Sequence, residues 1–169
     1  MRSLLTLGLI LLTTIAALSQ SSVQQFFDKY QDDESFTQIN ISPKMFQMIS
    51  SMDSEDPNNA EMMEMIGNLK GLKILTTDVN SQKYYKEFND SFDKSVYEEL
   101  MTVRENESDI TFLVRESSGN IVNELLLLVG GAQDFVLMSF EGRIPLDKIG
   151  KLASGLNISG AEHLDKLKK

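Results

Sequence analysis

The chain has no cysteine and a single histidine, His163, six residues from its end. The first absence excludes disulfides, thiolate metal sites, cysteine nucleophiles and lipid attachment through an N-terminal cysteine. The second removes the usual agent of acid–base chemistry, because His163 lies between Glu162 and Leu164 in a short amphipathic tail and reads as a surface residue. There is no phosphate-binding glycine loop and no G-x-S-x-G elbow; the serines of Ser118-Gly119 and Ser154-Gly155 have no histidine to activate them. Basic residues are in deficit too, 16 Lys and Arg against 25 Asp and Glu, for a formal charge of −9. Nucleic acids and anionic lipid surfaces reward basic patches, so neither is expected as a partner.

What is present begins with Met1 and Arg2, an apolar run from Leu4 to Leu18, and Ala17-Leu18-Ser19 before a polar stretch. This pattern predicts a secretory signal peptide over residues 1–19, cut between Ser19 and Gln20. The run is interrupted by Thr6, Thr13 and Thr14 and is shorter than the roughly 20 apolar residues that span a bilayer. The expected product is periplasmic or extracellular, with residues 20–169 forming one domain large enough for a hydrophobic core.

Within that domain Val23, Phe26, Phe27 and Tyr30 have helical spacing, and residues 36–41 alternate as a half-buried strand does. Ser42-Pro43 predicts an N-cap and first helical residue for a helix to about Ser51, ended by the turn-rich loop Asp53-Ser54-Glu55-Asp56-Pro57-Asn58-Asn59. A second helix over 61–69 and a β-branched strand over 72–77 follow, and a right-handed crossover is expected between the first two strands if they are parallel neighbours. Asn80 or Ser81 is expected to cap a helix to about Ser95 with Tyr84, Tyr85, Phe88 and Phe92 on one face. Four strands then form an antiparallel meander over 97–104, 110–116, 121–129 and 135–141. The unbroken apolar string Leu125 to Val129 predicts a central strand covered on both faces. Pro145 is expected to open a helix carrying Leu146, Ile149, Leu152, Ala153 and Leu156, with a last short helix over 161–167. Together these predict an α+β, two-layer sandwich: a mixed, mostly antiparallel sheet with helices on one face.

Five strings in order resemble one known family: Asp32-Asp33-Glu34-Ser35-Phe36-Thr37, Leu69-Lys70-Gly71-Leu72-Lys73-Ile74-Leu75, Tyr97 to Val103, Glu124 to Gly131, and Gly142-Arg143-Ile144-Pro145-Leu146. They are similar to the domain-of-unknown-function family numbered 4252, found in exported proteins of Bacteroidota. The resemblance implies a cell-envelope protein and brings no catalytic residue. Many members look like lipoproteins with a cysteine after the signal, whereas this chain has Gln20 there, so no lipid anchor is expected.

The remaining candidates are constellations. Glu99, Glu116, Glu124 and Glu141 fall on expected strands, where carboxylates ordinarily occupy solvated or edge positions. Asp53, Glu55 and Glu64 match three positions of a calcium loop, but Pro57 and Asn58 stand where a ligand and the turn glycine are required. The sequons Asn89-Asp90-Ser91, Asn106-Glu107-Ser108 and Asn157-Ile158-Ser159 matter only in a pathway that glycosylates asparagine. The methionines offer more. Met45, Met48, Met52, Met62 and Met65 recur at helical spacing with Met63 beside them, and three roles are open to them: core packing, an adaptable groove for an envelope protein, or soft thioether ligation of Cu(I) through Met45, Met48, Met62 and Met65. No catalytic residue and no organic cofactor is expected, and a non-enzymatic interaction module is the first reading.

Overall fold

The computed structural model describes residues 21–51, 60–105, 108–117 and 119–151, the side chain of Glu105 excepted. The expected leader and its cut, Met52, the acidic loop from Asp53, and the tail from Leu152 through His163 lie outside the described residues. The elements are α1 (Ser22–Tyr30), β1 (Thr37–Ile41), α2 (Pro43–Ser50), α3 (Ala60–Gly67), β2 (Leu69–Thr77), α4 (Ser81–Ser91), β3 (Glu98–Glu105), β4 (Ser108–Glu116), β5 (Ile121–Gly131) and β6 (Phe135–Pro145). The strands form one sheet in the order β1-β2-β6-β5-β4-β3. β3 to β6 are the expected meander, and β6 returns the chain against β2.

The α+β class and the antiparallel character are as the sequence implies, with two corrections. Every described neighbouring pair is antiparallel, so the sheet is not mixed; β1 and β2 are antiparallel neighbours joined through α2 and α3, and the conditional crossover does not arise. The helices also lie on both faces of the sheet rather than one, which makes three layers. Side-chain alternation along β5 shows why: Leu126 and Leu128 pack with α1 and α4, while Leu125 and Leu127 pack with α2 and α3. All four leucines are buried, as the string predicted for a central strand. A sheet whose middle strands are apolar on both sides must cover both, and one helical layer cannot do so.

The two cores differ in chemistry. On the α1 and α4 side, rings from helix and strand interlock: Phe26 meets Phe88 edge-on at 5.2 Å, Phe36 meets Tyr84 at 4.6 Å, and Phe88 stacks on Phe92 at 5.0 Å. Such pairs contribute about 0.5–1.5 kcal/mol beyond the area they bury. Gly130 allows α4 to close on β5 there, since a Cβ at that position would lie 1.9 Å from the Tyr85 ring. Lys29 and the Tyr30 hydroxyl both reach Glu87 of α4, at 2.5 and 2.6 Å, and tie the two helices together. On the other side the core is mostly aliphatic, with Phe46 of α2, Met62 and Ile66 of α3 and Ile149 set against Leu69, Leu72, Val122 and Ile144.

Boundaries shift for local reasons. α4 stops at Ser91 rather than near Ser95 because Phe92 turns extended (φ −77°, ψ 123°) to bury its ring, and a 3-10 turn, Lys94–Val96, follows. Pro145 ends β6 and is followed by a 3-10 turn over Leu146–Lys148. Gly119 and Asn120 adopt positive φ (76° and 63°) in the β4–β5 hairpin, where a tight turn requires the left-handed region.

Candidate functional site

The methionine set divides by environment. On α2, Phe46 takes the core position at 3% exposure, whereas Met45 and Met48, one turn apart on the outer side, stand 48% and 55% exposed. On α3 the arrangement inverts: Met65 is buried, Met62 is half-buried and packs on the aliphatic core beside Ile66, and Met63 is half-buried. Among the described residues the α2 pair is therefore the most accessible part of the methionine set, and the α3 methionines lie mainly in packing. The margin of the α2 pair carries Lys44 and Gln47, both exposed. α3 is held in place by Glu61, whose carboxylate pairs with Lys148 and, at 2.6 Å, with Lys151. Those two ammonium groups hold the Glu61 carboxyl down to about 2.

The carboxylates also divide. Glu116 is exposed, Glu141 half-buried, and Glu99 accepts a 2.8 Å hydrogen bond from Thr102. Glu124, in contrast to the solvated role expected for it, is only 2% exposed. A bulge in β5 causes this. Val122 pairs with Ile144 and Glu116, but Glu124 pairs with Glu141 and Arg115, so Asn123 is an extra residue against β4, while β6 takes three steps, Ile144 to Glu141, beside the two of β5. The inserted residue reverses the alternation, and Glu124 points to the α1 and α4 side although Val122 points to the other. There the Tyr97 hydroxyl donates to Oε2 at 2.8 Å, the Ser139 hydroxyl to Oε1 at 2.7 Å, and Arg115 donates through Nη2 at 2.9 Å and Nε at 3.2 Å. Both carboxylate oxygens are thus satisfied. Burial first, and then the Glu124 charge, raise the Tyr97 phenol far above its ordinary value. Burial alone would lower the Arg115 guanidinium; Glu124 outweighs it and holds that group above its ordinary value. A closed set of this kind orients a sheet end, and none of the described cavities is lined by Glu124.

A cleft of about 190 Å³ opens where α4 leaves β3 and β4 uncovered. Its floor is Phe92, Leu113 and Leu128, and Lys94, Glu99, Thr102, Arg104, Asp109 and Thr111 contribute to its rim. Arg104 forms a two-pronged pair with Asp109 at 2.6 and 3.2 Å, and Thr102 and Thr111 lie 3.3 Å apart across the strands. The rim charges are mostly engaged with one another, and among the described residues no three His, Asp or Glu side chains gather as metal ligands would. No described helix is long and apolar enough to cross a membrane.

Residues 30–152 match the family described as Domain of unknown function (DUF4252). The chain is a member of that family. No curated protein and no solved structure matches it. The DUF4252 match runs from the end of α1 to just past the 3-10 turn after β6, and so includes every described strand, the α2 surface and the Glu124 set.

Proposed function

We propose that this DUF4252 protein is an exported cell-envelope protein that works without catalysis, through a contact that the outer face of α2 makes with another protein. The observation that carries the reading is the exposure of Met45 and Met48 on a helix anchored by buried Phe46. Flexible thioether chains present apolar area that adapts to a partner's shape, and in so acidic a chain an uncharged projecting pair is a natural contact point. The apolar leader Leu4 to Leu18 supports export. A Cu(I) site would draw on Met62 and Met65 as well; one is half-buried and the other buried, which favours the protein contact.

The test is affinity capture of the mature protein from its native envelope, parent beside a Met45→Glu, Met48→Glu double variant of unchanged circular dichroism. A partner that the parent retains should be lost by about tenfold or more, as expected when an apolar contact of roughly 1.5–3 kcal/mol is replaced by charge. Equal retention by both proteins contradicts the α2 assignment. Tight Cu(I) binding by the parent that a Met45→Leu, Met48→Leu variant lacks would replace the protein partner by the metal.

A further inference from the structure

In a chain of formal charge −9, the charged side chains that line the cleft beside α4 cancel, Lys94 and Arg104 against Glu99 and Asp109. The walls follow from the fold. Tyr85 and Asn89 of α4 and Phe92 just after it, four and three residues apart, form one flank, and β3 with β4 lies opposite. Strand register sets the polar groups there in rungs: Arg104 opposite Asp109, Thr102 opposite Thr111, and Glu99 opposite Leu113. Leu128, opposite Thr111 on β5, joins Leu113 and Phe92 in an apolar floor.

These polar groups are held in fixed directions. Thr102 gives its proton to Glu99 Oε1, so Thr111 is the donor in the 3.3 Å contact between the two threonines. The chain Thr111 to Thr102 to Glu99 leaves the Thr111 oxygen and Glu99 Oε2 able to accept. Arg104 spends Nε and Nη2 on Asp109 and keeps Nη1 as a donor. Lys94 is exposed, and its ammonium has no hydrogen bond or ion pair among the described residues. Burial, and then Asp109, hold the Tyr85 phenol above its ordinary value, so it stays protonated at neutral pH.

We propose that this cleft binds one ring of a neutral saccharide. An ion drawn to one member of the rim is repelled by the next, whereas a hydroxyl both donates and accepts and so serves Lys94 and Glu99 alike. The size agrees: a cavity of about 150 Å³ takes benzene, so about 190 Å³ takes one six-membered ring with substituents. The C–H face of such a ring lies on Phe92, Leu113 and Leu128 while the hydroxyls at its edge reach the rim, the division of apolar and polar contact usual in small-molecule sites. The cleft is on the α4 face of the sheet, opposite α2, and the proposal rests neither on the α2 contact nor on export.

The test is an NMR titration of the ¹⁵N-labelled mature protein with D-glucose, D-galactose, D-mannose and N-acetyl-D-glucosamine, each to about 50 mM, and with benzoate as a charged ring of similar size. At least one sugar should shift the amides of residues 89, 94, 102 and 111 saturably, with the millimolar dissociation constant expected of so small a ligand. Raising salt from about 0.05 to about 0.5 M should leave that constant unchanged, because no ligand charge is there to be screened. Thr111→Val, which keeps the side-chain shape and removes the hydroxyl, should weaken binding about tenfold. Thr102→Trp, at an exposed position, should fill the cleft and prevent binding. The spectra of both variants report whether the fold is kept. No saturable shift with any of the four sugars, shifts confined to residues outside the cleft, unchanged affinity in either folded variant, a constant that rises with salt, or benzoate binding more tightly than every sugar would overturn the proposal.

Discussion

Glu124 shows how one residue's environment can depend on its neighbour in the chain. A buried carboxylate is tolerated because three side chains donate to it, and removing a donor leaves part of a charge unsolvated. Tyr97→Phe should cost about 1.5–3 kcal/mol in urea unfolding at neutral pH, the usual value for a hydrogen bond to a charged group. The pH dependence has a definite sign. The folded-state value of Tyr97 is raised above the unfolded value of about 10, so the folded protein binds the proton more tightly. Its contribution is whole below pH of about 10 and is lost as pH rises from there through the folded-state value. The parent should therefore lose stability above that pH more steeply than Tyr97→Phe, and ultraviolet titration of the variant should lack one late-ionising tyrosine that the parent shows. Parallel alkaline curves for the two proteins would contradict the assignment. From the sequence, a regular ladder continued from the Glu116 and Val122 pair sets Arg115 opposite Asn123. Only the bulge brings Glu124 there, and no residue pattern announces it.

Among the elements, α2 and α3 have similar methionine spacing and different fates. The apolar positions of α2 span more of its circumference than a sheet can cover, and Phe46, the largest, takes the inward place. Spacing thus made the helices legible and left open which methionines face water. The hairpin strands were legible for the opposite reason, because Ser117 to Asn120 and Gly130 to Asp134 punctuate short segments rich in apolar and β-branched residues. α3 gains a further tether in Glu61. Its carboxyl lies at about 2 against an ordinary 4.5, so the pairing with Lys148 and Lys151 is complete above the ordinary value and disappears as pH falls through about 2. NMR titration at low salt should give Glu61 a midpoint near that lower value. A Lys148→Met, Lys151→Met variant, or high salt, should return it toward the ordinary range, since exposed pairs are screened. An unshifted midpoint in the parent would contradict the tether.

For the molecule as a whole, the α+β class followed from the order of elements, while the number of layers did not. An apolar string such as Leu125 to Val129 requires cover on both faces without saying which helix supplies each side. The three-layer arrangement separates two jobs: α1 and α4 close an aromatic core over the Glu124 set, and α2 sits on the opposite face with its methionines outward. The proposed contact rests on that outward pair. Its most direct measurement is site-specific photo-cross-linking in the living cell, with a photoreactive residue in place of Met45 or Met48 and, as control, in place of Lys86 on the exposed side of α4. The α2 positions should both yield the same discrete protein adduct, and position 86 should not. No adduct at 45 and 48, or the same adduct from all three positions, would contradict a function carried by the α2 surface.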